Sequence, residues 1–489
     1  MRICVLTSSY ARSSSEFREV DPLLDPSPWL PDHTVVHRPL HKATAASTIR
    51  ELAREGFDLF INLCDGTIYE DVAGPEVVQE LERQHQAFTG ASSDFYDPSR
   101  QALKQACERI GADTPHYFVA EQLADVPRAA ARLRFPLIVK PGNGYGSVGI
   151  APSSRVETPE ALHAQVASIL PIFQIALIEE FIAGREFNVL VAESIDDSGP
   201  PQVYAPVEVG FPAHESFLHF DLKWREYRHM AALPVTDAAL AARLEQLGQR
   251  LFTASKGSGY CRLDVRMDAD GRLFVLDINP NASLFYPPDQ FGFADSSLAQ
   301  DPAGHRGFLA HIMACALRRQ QRERPTFKLE YDPATGHGLV AARDIAAGEI
   351  VRAREQQAHH LVSRAHAERG WHAEQLAWSR RHAQPISDDL FITWPADPEG
   401  WLPVQHSCDP NLWFSGLDWV ARRPIDRNQA LTLDYATCGA LESFACRCGT
   451  TVCRGVVRPD DHLAAWAVAR YGDHVTDYVR RARAGAPRP

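Results

Sequence analysis

The sequence predicts a two-part protein, with an α/β first part and a mainly β second part. Apolar strands and helices alternate up to about residue 320, which predicts partly parallel sheets covered by helices. Beyond the charged segment 318–325, short strands rich in Gly, Pro, His and Trp predict a β module. Four of the ten cysteines lie beyond residue 437, which indicates that this module is separate.

Composition limits the class of protein. The chain has 489 residues and 45% hydrophobic residues, which is ordinary for a soluble globular protein of roughly two to four domains. The sequence contains no apolar run of about 18 residues and no signal-peptide pattern, so we expect a cytoplasmic protein without a membrane partner. The net charge of −12 argues against nucleic acid as a partner, because nucleic-acid binding depends on neutralising phosphates.

The elements of the first part are predicted from apolar patterns bounded by Gly, Pro and turn residues. Strands are expected at 2–7, 57–63, 135–140, 176–182 and 187–192, and helices at 75–87 and 99–110. Four leucines recur at helical spacing and predict a further helix: Leu240, Leu244, Leu247 and Leu251. Segments 261–267 and 272–278 flank the turn sequence Asp-Ala-Asp-Gly and predict a β-hairpin. Asp94 and Asp97 are interpreted as turn and helix-cap residues.

The predicted hairpin carries oxygen ligands. Asp264 and Asp277 lie on its two strands, and Asn279 follows on the same face as Asp277. Their neighbours are apolar, and carboxylates in such surroundings are costly unless they are paired or bind a metal. Three oxygen ligands at one end of a hairpin suit Mg²⁺, whereas a pair of surface turn aspartates is the alternative.

A glycine-rich loop follows the predicted strand 135–140. Lys140 ends the strand, and the loop 141–149 contains Gly146 and the hydroxyl of Ser147. Glycine lets the backbone approach phosphate oxygens, and phosphoryl transfer also needs a lysine and carboxylate-bound magnesium. Because the hairpin supplies the carboxylates, the pattern favours a phosphate-binding loop over a plain surface loop.

Six ordered segments resemble the ATP-grasp superfamily, and most closely its D-alanine–D-alanine ligase branch. They are 61–66, 88–91, 136–150, 178–186, 220–224 and the paired hairpin strands 262–264 and 276–279. The resemblance covers residues 1–322. It implies a pre-ATP-grasp α/β domain at 1–98 and a two-lobed ATP-grasp domain at 99–322.

The resemblance implies a role for each matching side chain. Contacts to ATP phosphates would come from Arg100, Lys140, Gly146, Ser147 and Lys223, and contacts to adenine and ribose from Glu179, Ile182 and Glu186. The acyl-phosphate oxyanion would face Arg262, and two Mg²⁺ ions would bind Asp264, Asp277 and Asn279. In the implied reaction a carboxylate takes the γ-phosphoryl group of ATP, and an amine then displaces phosphate to form an amide.

Several departures from the family pattern bear on the substrate. Asp277 replaces the family's magnesium glutamate, Asp65 replaces a histidine, and segment 280–284 replaces the family's Pro-Gly-Met-Thr substrate loop. Segment 14–19 only loosely resembles the glutamate that binds the first amino acid's ammonium. We therefore expect as substrate an amino acid other than D-alanine, or a peptide. The sequence leaves the oligomeric state open, although relatives in this branch tend to be homodimers.

Three closely spaced cysteines in the second part predict a zinc site. Structural zinc takes four tetrahedral ligands, usually thiolates. Cys446, Cys448 and Cys453 supply three of them, and Cys408 is the first choice for the fourth, with Cys438 as the alternative. The alternative to a zinc site is that these cysteines are scattered free thiols.

The second part resembles the SET methyltransferase family with its post-SET zinc loop. The matching segments are 336–341, 345–349, 405–411, 430–435 and 446–453. The resemblance implies a SET and post-SET domain at 323–458, followed by a C-terminal helix and tail at 459–489. It implies that S-adenosylmethionine contacts Gly336, Gly338, Gln405 and His406. It also implies that Tyr435 orients the amine of a lysine-bearing acceptor.

The predicted function is ATP-dependent formation of an amide or peptide bond on an amino acid or peptide. The fused SET module would methylate a lysine or another amine. Two alternatives remain open. One is a protein-lysine methyltransferase whose ATP-grasp part only binds substrate, and the other is a non-catalytic, ATP-gated interaction protein. An inactive SET scaffold also remains open.

Overall fold

The computed structural model describes residues 1–489 apart from 12, 14, 21, 143–145, 197–198, 324, 334–335, 356, 358, 395–400 and 486–489. The centre of the predicted glycine loop and the last four residues therefore lie outside the described part. The chain forms two compact units, Met1–Glu323 and Arg324–Pro489. The finer boundaries at residues 98 and 458 remain predictions.

The first unit alternates strands and helices. Its strands are β1 (Arg2–Ser8), β2 (Thr34–Leu40), β3 (Leu59–Leu63), β4 (Tyr117–Ala120), β5 (Leu137–Pro141), β6 (Arg155–Val156), β7 (Ala176–Glu180), β8 (Arg185–Ala192), β9 (Gln202–Val203), β10 (Val207–Gly210), β11 (Ala231–Pro234), β12 (Tyr260–Met267) and β13 (Leu273–Asn279). Its helices are α1 (Ala45–Arg54), α2 (Pro75–Arg83), α3 (Arg100–Ile110), α4 (Val126–Arg132), α5 (Pro159–Phe173), α6 (Phe220–Trp224), α7 (Ala238–Ala254), α8 (Phe293–Ala299) and α9 (Gly304–Glu323).

The N-terminal sheet has the order β2-β1-β3, and its strands are parallel. Residues 3–6 of β1 and all of β3 are buried, because a parallel sheet is covered on both faces. The predicted α/β character of the first part is confirmed. Helix α2 ends at Arg83, earlier than expected, because the chain turns at His85 with a φ of +50°.

Two antiparallel sheets follow, and they supply the two lobes. One has the order β4-β7-β5-β6, and the other has the order β11-β10-β8-β12-β13 with β9 beside β8. The four predicted leucines of α7 are buried against the second sheet, as their spacing indicated. Strands β12 and β13 form the predicted hairpin, and Asp264 lies directly opposite Asp277 beside a register shift.

The second unit is mainly β, as predicted. Its strands are β14 (Phe327–Asp332), β15 (Gly336–Ala341), β16 (Ile350–Arg352), β17 (His360–Ser363), β18 (Gln384–Pro385), β19 (Leu390–Thr393), β20 (Gln405–His406), β21 (Leu412–Ser415), β22 (Asp418–Ala421), β23 (Thr432–Leu433), β24 (Phe444–Ala445) and β25 (Val456–Val457). Its helices are α10 (Arg364–Gly370), α11 (Ala373–His382), α12 (Ala465–Tyr471) and α13 (Asp477–Gly485). The strands form small sheets of two or three, and β20 and β23 are paired in parallel.

The C-terminal segment contains two helices, where the sequence predicted one helix and a tail. Helices α12 and α13 bury Tyr471, Val475 and Val479 in one apolar cluster with Ala436. The Tyr471 hydroxyl donates to Asp434 Oδ2 at 2.8 Å, within the segment that resembles the SET family. Residues 465–485 therefore form part of the core of the second unit. Among the described residues, no helix combines the length and apolar character needed to cross a membrane.

Candidate functional site

A cavity of about 390 Å³ lies in the first unit, lined by residues of both antiparallel sheets. All twelve residues that the sequence assigned to ATP and Mg²⁺ line it: Arg100, Lys140, Gly146, Ser147, Glu179, Ile182, Glu186, Lys223, Arg262, Asp264, Asp277 and Asn279. They come from segments as far apart as α3 and β13, so the fold brings together residues that are distant in sequence. We call this space the nucleotide cavity.

Two buried lysines share one carboxylate in the nucleotide cavity. Glu179 on β7 lies 2.6 Å from the Nζ atoms of both Lys140 and Lys104, and all three side chains are at least nine-tenths buried. Burial alone would raise the pKa of Glu179, but the two lysines outweigh it and hold this pKa at about 2. Burial also lowers the pKa of Lys140, despite the neighbouring carboxylate. Glu179 is thus a fixed anion that orients Lys140, the lysine predicted to contact ATP phosphates.

A second buried ion pair supports the segment expected to hold adenine. Arg266 Nε donates to Glu186 Oε2 at 2.9 Å, and its Nη1 donates to the carbonyl of Ile182 at 2.7 Å. Burial raises the pKa of Glu186, although Arg266 partly opposes this shift. The sequence analysis missed Arg266. The sequence pattern that could have identified Arg266 is the alternation of Arg262, Asp264 and Arg266 along one face of β12.

The predicted metal ligands form a polar cluster at the hairpin. Asp264 accepts hydrogen bonds from Arg262 Nε at 2.8 Å, from Asn188 Nδ2 at 2.6 Å and from Asn279 Nδ2 at 3.1 Å. Asp277 Oδ2 accepts from Arg100 Nη1 at 2.9 Å. Two carboxylates and an amide side chain match the oxygen ligands that Mg²⁺ prefers, so the donor set fits this ion.

Asn188 and Lys104 are further contributors that sequence reasoning missed. Asn188 lies on β8 directly opposite Asp264, and it is buried among the apolar residues of 187–192. An amide side chain among apolar residues was the indication in the sequence that Asn188 has a polar partner, because a buried polar group needs one. Lys104 is a buried lysine on α3, and its only sequence signal is its place on a helix next to the predicted site.

Two aromatic residues pack against Gly146 of the glycine loop. Gly146 has a φ of +59°, and a Cβ there would lie 2.5 Å from Cζ of Phe17. The indole of Trp224 donates to the Gly146 carbonyl at 2.8 Å, and its ring lies 5.0 Å from the Phe17 ring. Close packing therefore requires glycine at this position. Phe17 was not identified from the sequence.

Asp97 differs from its sequence interpretation. The N-cap of α3 is Ser99, whose Oγ accepts from the Ala102 amide at 3.1 Å. Asp97 instead lines the nucleotide cavity.

In the second unit, three of the four residues assigned to S-adenosylmethionine lie in two pairs, Gly338 with Gln405 and His406 with Tyr435. A Cβ on Gly338 would lie 3.1 Å from Nε2 of Gln405, so the Gly338 backbone and the Gln405 side chain are close neighbours. The rings of His406 and Tyr435 lie 5.2 Å apart, and the Tyr435 amide donates to His406 Nδ1 at 3.3 Å. The Tyr435 hydroxyl donates to the Val404 carbonyl at 2.8 Å. Gly336 begins the same strand as Gly338.

Four cysteines of the second unit form a thiol cluster. The Sγ atoms of Cys408, Cys446, Cys448 and Cys453 all lie within 4.8 Å of one another. Cys446 Sγ lies 3.8 Å from Cys408 Sγ and 3.7 Å from Cys453 Sγ. A tetrahedral zinc site with Zn–S bonds of about 2.3 Å has sulfur–sulfur edges of about 3.8 Å, so the spacing fits zinc.

Backbone amides also point at the thiol cluster. The amide of Arg454 donates to Cys408 Sγ at 3.4 Å, and the amide of Cys408 donates to Cys448 Sγ at 3.5 Å. Such donors stabilise thiolates, which are the form that binds metal. Cys438, the alternative fourth ligand, is not in the cluster, and its Sγ lies 3.6 Å from the Tyr435 carbonyl.

The second unit also buries a cation that the sequence did not reveal. Arg354 is 2% exposed, donates from Nη1 to Gln384 Oε1 at 2.8 Å, and lies 5.5 Å from the rings of both Trp394 and Trp419. Burial lowers the pKa of Arg354 to about 10. Among the described residues, none offers its Nη2 a hydrogen-bond acceptor.

Two family models match the chain. Residues 114–285 match the D-ala D-ala ligase C-terminus, and residues 336–436 match the SET domain. The first match covers the two lobes that line the nucleotide cavity up to Phe285. The second covers the Gly338–Gln405 and His406–Tyr435 pairs.

Individual relatives match the first unit. A D-alanine–D-alanine ligase of Ectopseudomonas mendocina is 34% identical over 180 residues, which cover 36% of this chain and 53% of that protein. One of Chromohalobacter salexigens is 29% identical over 219 residues, which cover 45% of this chain and 63% of that protein. The chain thus spans little more than half the length of the curated relatives it matches.

A solved structure also aligns with the first unit. The crystal structure of D-alanine–D-alanine ligase from Bacillus anthracis complexed with ATP aligns with a TM-score of 0.47 and 17% identity, over 66% of this chain and 99% of that chain. The family matches confirm both resemblances drawn from the sequence. Residues 114–285 are thus similar to the D-ala D-ala ligase C-terminus, and residues 336–436 are similar to the SET domain.

Proposed function

We propose that residues 1–322 form an ATP-dependent carboxylate–amine ligase that joins an amino acid or peptide to an amine through an acyl-phosphate. The observation that carries this proposal is the convergence of the phosphate-binding cations and the Asp264, Asp277 and Asn279 cluster in one cavity. Phosphoryl transfer depends on such positioning and charge neutralisation more than on covalent participation of the protein.

The cations of the cavity would bind and orient ATP. Lys140 at the end of β5 is held by Glu179, and Lys223 and Arg100 line the same space. The left-handed backbone at Gly146 and Ser147 suits a loop that turns its amides towards phosphate oxygens. Asp264, Asp277 and Asn279 would hold Mg²⁺, which supplies neutralisation of phosphate charge when it is bound.

The reaction then proceeds in two displacements. A carboxylate oxygen of the substrate attacks the γ-phosphorus, and the bond from this phosphorus to the bridging oxygen breaks to release ADP. The amine nitrogen next attacks the acyl carbon, the carbon–oxygen bond to phosphate breaks, and phosphate leaves with the electron pair. The amine loses its proton to solvent. Arg262 lines the cavity beside Asp264 and would stabilise the oxyanion that forms at the acyl carbon.

ADP release from the purified protein with Mg-ATP and a pool of amino acids tests the ligase. We expect amino-acid-dependent ADP that falls at least 100-fold in Lys140→Ala and in Asp264→Asn, because each removes charge stabilisation of the transferring group. Asp270→Asn is the matched control, since Asp270 lies in the exposed turn of the same hairpin. Unchanged ADP release in Asp264→Asn would contradict the site assignment.

Other outcomes of the same measurement favour the alternatives. ATP binding without ADP formation under any amino-acid or peptide pool would favour the ATP-gated interaction protein. Methylated product that forms without ATP would favour a methyltransferase whose first unit only binds substrate. Mass spectrometry of the reaction mixture separates these cases from ligation.

The second unit supports a second activity, S-adenosylmethionine-dependent methylation of a lysine or another amine. The adjacent Gly338–Gln405 and His406–Tyr435 pairs favour it, together with a thiol cluster that fits zinc. Tyr435→Phe should preserve binding of S-adenosylmethionine while lowering methyl transfer, because it removes only the hydroxyl that would orient the acceptor amine. Equal transfer by both proteins would contradict this role, and absence of S-adenosylmethionine binding would favour an inactive scaffold.

A further inference from the structure

A second cavity of about 410 Å³ adjoins the nucleotide cavity in the first unit. The two cavities share three lining residues, Lys223, Arg262 and Asn279. A molecule in the second cavity can therefore present one end to the phosphate-binding cations. We call this space the side cavity.

Six large aromatic or apolar side chains line the side cavity, and we call them its aromatic wall. They are Trp224, Tyr227, Met230, Tyr286, Phe291 and Phe293. Tyr286 is buried, and the other five are partly buried although each faces the cavity. Large rings left partly uncovered around a concave space are typical of a site that binds an apolar group.

Two rings of the aromatic wall, Trp224 and Phe291, are held in place by neighbouring residues. Trp224 is fixed by its hydrogen bond to Gly146 and by the Phe17 ring. Phe291 lies 5.0 Å from the ring of His305, and His305 Nε2 lies 2.9 Å from Oδ1 of the buried Asp295. Because these contacts hold the rings in place, a ligand need not order them when it binds.

The charged groups of the side cavity have a clear polarity. Among the described residues that line it, Glu19 is the one acid, and Lys223 and Arg262 are the bases. The bases belong to the end that opens into the nucleotide cavity. An α-amino acid matches this arrangement, with its carboxylate at Arg262 and Lys223 and its ammonium at Glu19.

The size of the cavity limits the side chain. A cavity of about 150 Å³ lined by apolar side chains already accommodates benzene. The side cavity is more than twice as large, so a methyl side chain would leave most of the aromatic wall uncovered. A benzyl or isobutyl side chain would cover it and displace the water there.

We propose that the side cavity selects, as the carboxylate substrate of the ligase, an α-amino acid with a large apolar side chain such as phenylalanine or leucine. This inference rests on the proposed function, and it adds the chemical class of the substrate. Its carboxylate oxygen attacks the γ-phosphorus of ATP, ADP leaves, and the product of this half-reaction is the aminoacyl phosphate.

Hydroxylamine provides a test that does not require the natural amine. It attacks the acyl carbon of the aminoacyl phosphate, phosphate leaves, and a coloured hydroxamate–iron complex reports the product. The purified full chain is assayed with Mg-ATP, hydroxylamine and each enantiomer of phenylalanine, leucine, alanine and serine. We expect kcat/KM for phenylalanine or leucine to exceed that for alanine by at least tenfold.

Variants of the aromatic wall sharpen the test. Phe291→Ala and Tyr227→Ala should lower kcat/KM for phenylalanine at least tenfold, mainly through KM, and change kcat/KM for alanine less than threefold. Phe274→Ala is the matched control, because Phe274 is a partly buried ring on β13 outside both cavities. Its kinetics should equal those of the unaltered protein.

The outcomes separate this inference from the proposed function. Hydroxamate from alanine or serine at equal or higher kcat/KM would overturn the inference and leave the ligase intact. If none of these amino acids gives hydroxamate, the inference is overturned, and the ADP measurement with wider amino-acid and peptide pools decides separately about the ligase.

Discussion

Glu179 has an unusual position among the acids of the first unit, because two buried lysines converge on it. A buried charge is costly unless it is paired, and this carboxylate pairs with Lys104 and Lys140 at 2.6 Å each. Removing one partner from a buried ionic group leaves the others uncompensated. The neighbouring Glu180 pairs instead with Arg134, whose side chain is 82% exposed.

Glu179→Gln should therefore lower the free energy of unfolding by about 3–5 kcal/mol, because two buried ammonium groups lose their anion. Glu180→Gln is the matched control one residue away. We expect it to cost about 1 kcal/mol or less, because solvent screens its exposed partner. Urea denaturation of the two variants measures both values, and equal losses would contradict the special role of Glu179.

The same carboxylate should contribute to the pH dependence of stability. Its pKa is held at about 2 in the folded protein, below an ordinary glutamate pKa near 4.5. A carboxylate whose pKa is lowered by folding stabilises the folded protein at pH values above its pKa in the unfolded chain. This stabilisation is lost as the pH falls through its pKa in the folded protein. Glu179→Gln should thus flatten the loss of stability between pH 4.5 and 2. Thermal unfolding of both proteins across this pH range measures the effect. If stability depends on pH equally in the variant and in the unaltered protein, the lowered pKa of Glu179 is contradicted.

At the scale of elements, the glycine loop, the 3₁₀ turn Glu16–Glu19 and α6 depend on one another. The Phe17 ring occupies the space that a side chain at Gly146 would need, and Trp224 bonds to the Gly146 carbonyl. The backbone conformation at Gly146 is therefore supported by contacts from two other segments, not by glycine alone.

Gly146→Ala tests this dependence. The change introduces left-handed strain of about 1–2 kcal/mol and also displaces the Phe17 ring. Gly271→Ala is the matched control, because Gly271 has a φ of +79° with nothing within 4 Å of its Cβ position. Urea denaturation should show a larger loss for Gly146→Ala by at least about 1 kcal/mol. The excess should disappear when both proteins also carry Phe17→Ala, and its persistence would sink the steric explanation.

The hairpin β12–β13 could be predicted because its alternation, turn residues and acids lie in one continuous stretch. The same stretch made Asp264, Asp277 and Asn279 recognisable. Partners on other strands could not be predicted in this way. Nothing near Arg266 in the sequence indicates that it meets Glu186, which lies 80 residues earlier.

The C-terminal helices illustrate a second limit. The sequence predicted a helix and a tail here, but it did not indicate that Val475 and Val479 contact the SET-like segment. The structure buries both valines against Ala436, because the tertiary environment of the second unit supplies the apolar partner that local pattern cannot reveal.

At the scale of the whole molecule, each of the two units has its own apolar core. The first unit has its own apolar clusters around its three sheets, and the second has a core that includes Leu339, Leu412 and Leu431. The second unit is built from strands of at most six residues, so its sheets supply limited burial. A metal held by the four thiols would add folding free energy where the core is small.

Zinc should therefore be bound by the thiol cluster, at one ion per chain. Cys446→Ser should remove the ion, and Cys438→Ser is the matched control, because Cys438 lies outside the cluster. Metal content by plasma mass spectrometry measures both. Loss of zinc should destabilise the second unit by about 5 kcal/mol or more, since metal binding there is coupled to folding.

Hydrogen exchange shows where that loss acts. Chelation should speed exchange in peptides from 404–457, which contain the four ligands and the His406–Tyr435 pair, and leave peptides from 260–279 unchanged. Retained zinc in Cys446→Ser, or its loss in Cys438→Ser, would contradict the ligand set. If both serine variants hold zinc and chelation changes exchange in no peptide, the four thiols do not bind the ion. The resemblance to the post-SET loop would then extend to the fold of the chain but not to metal binding.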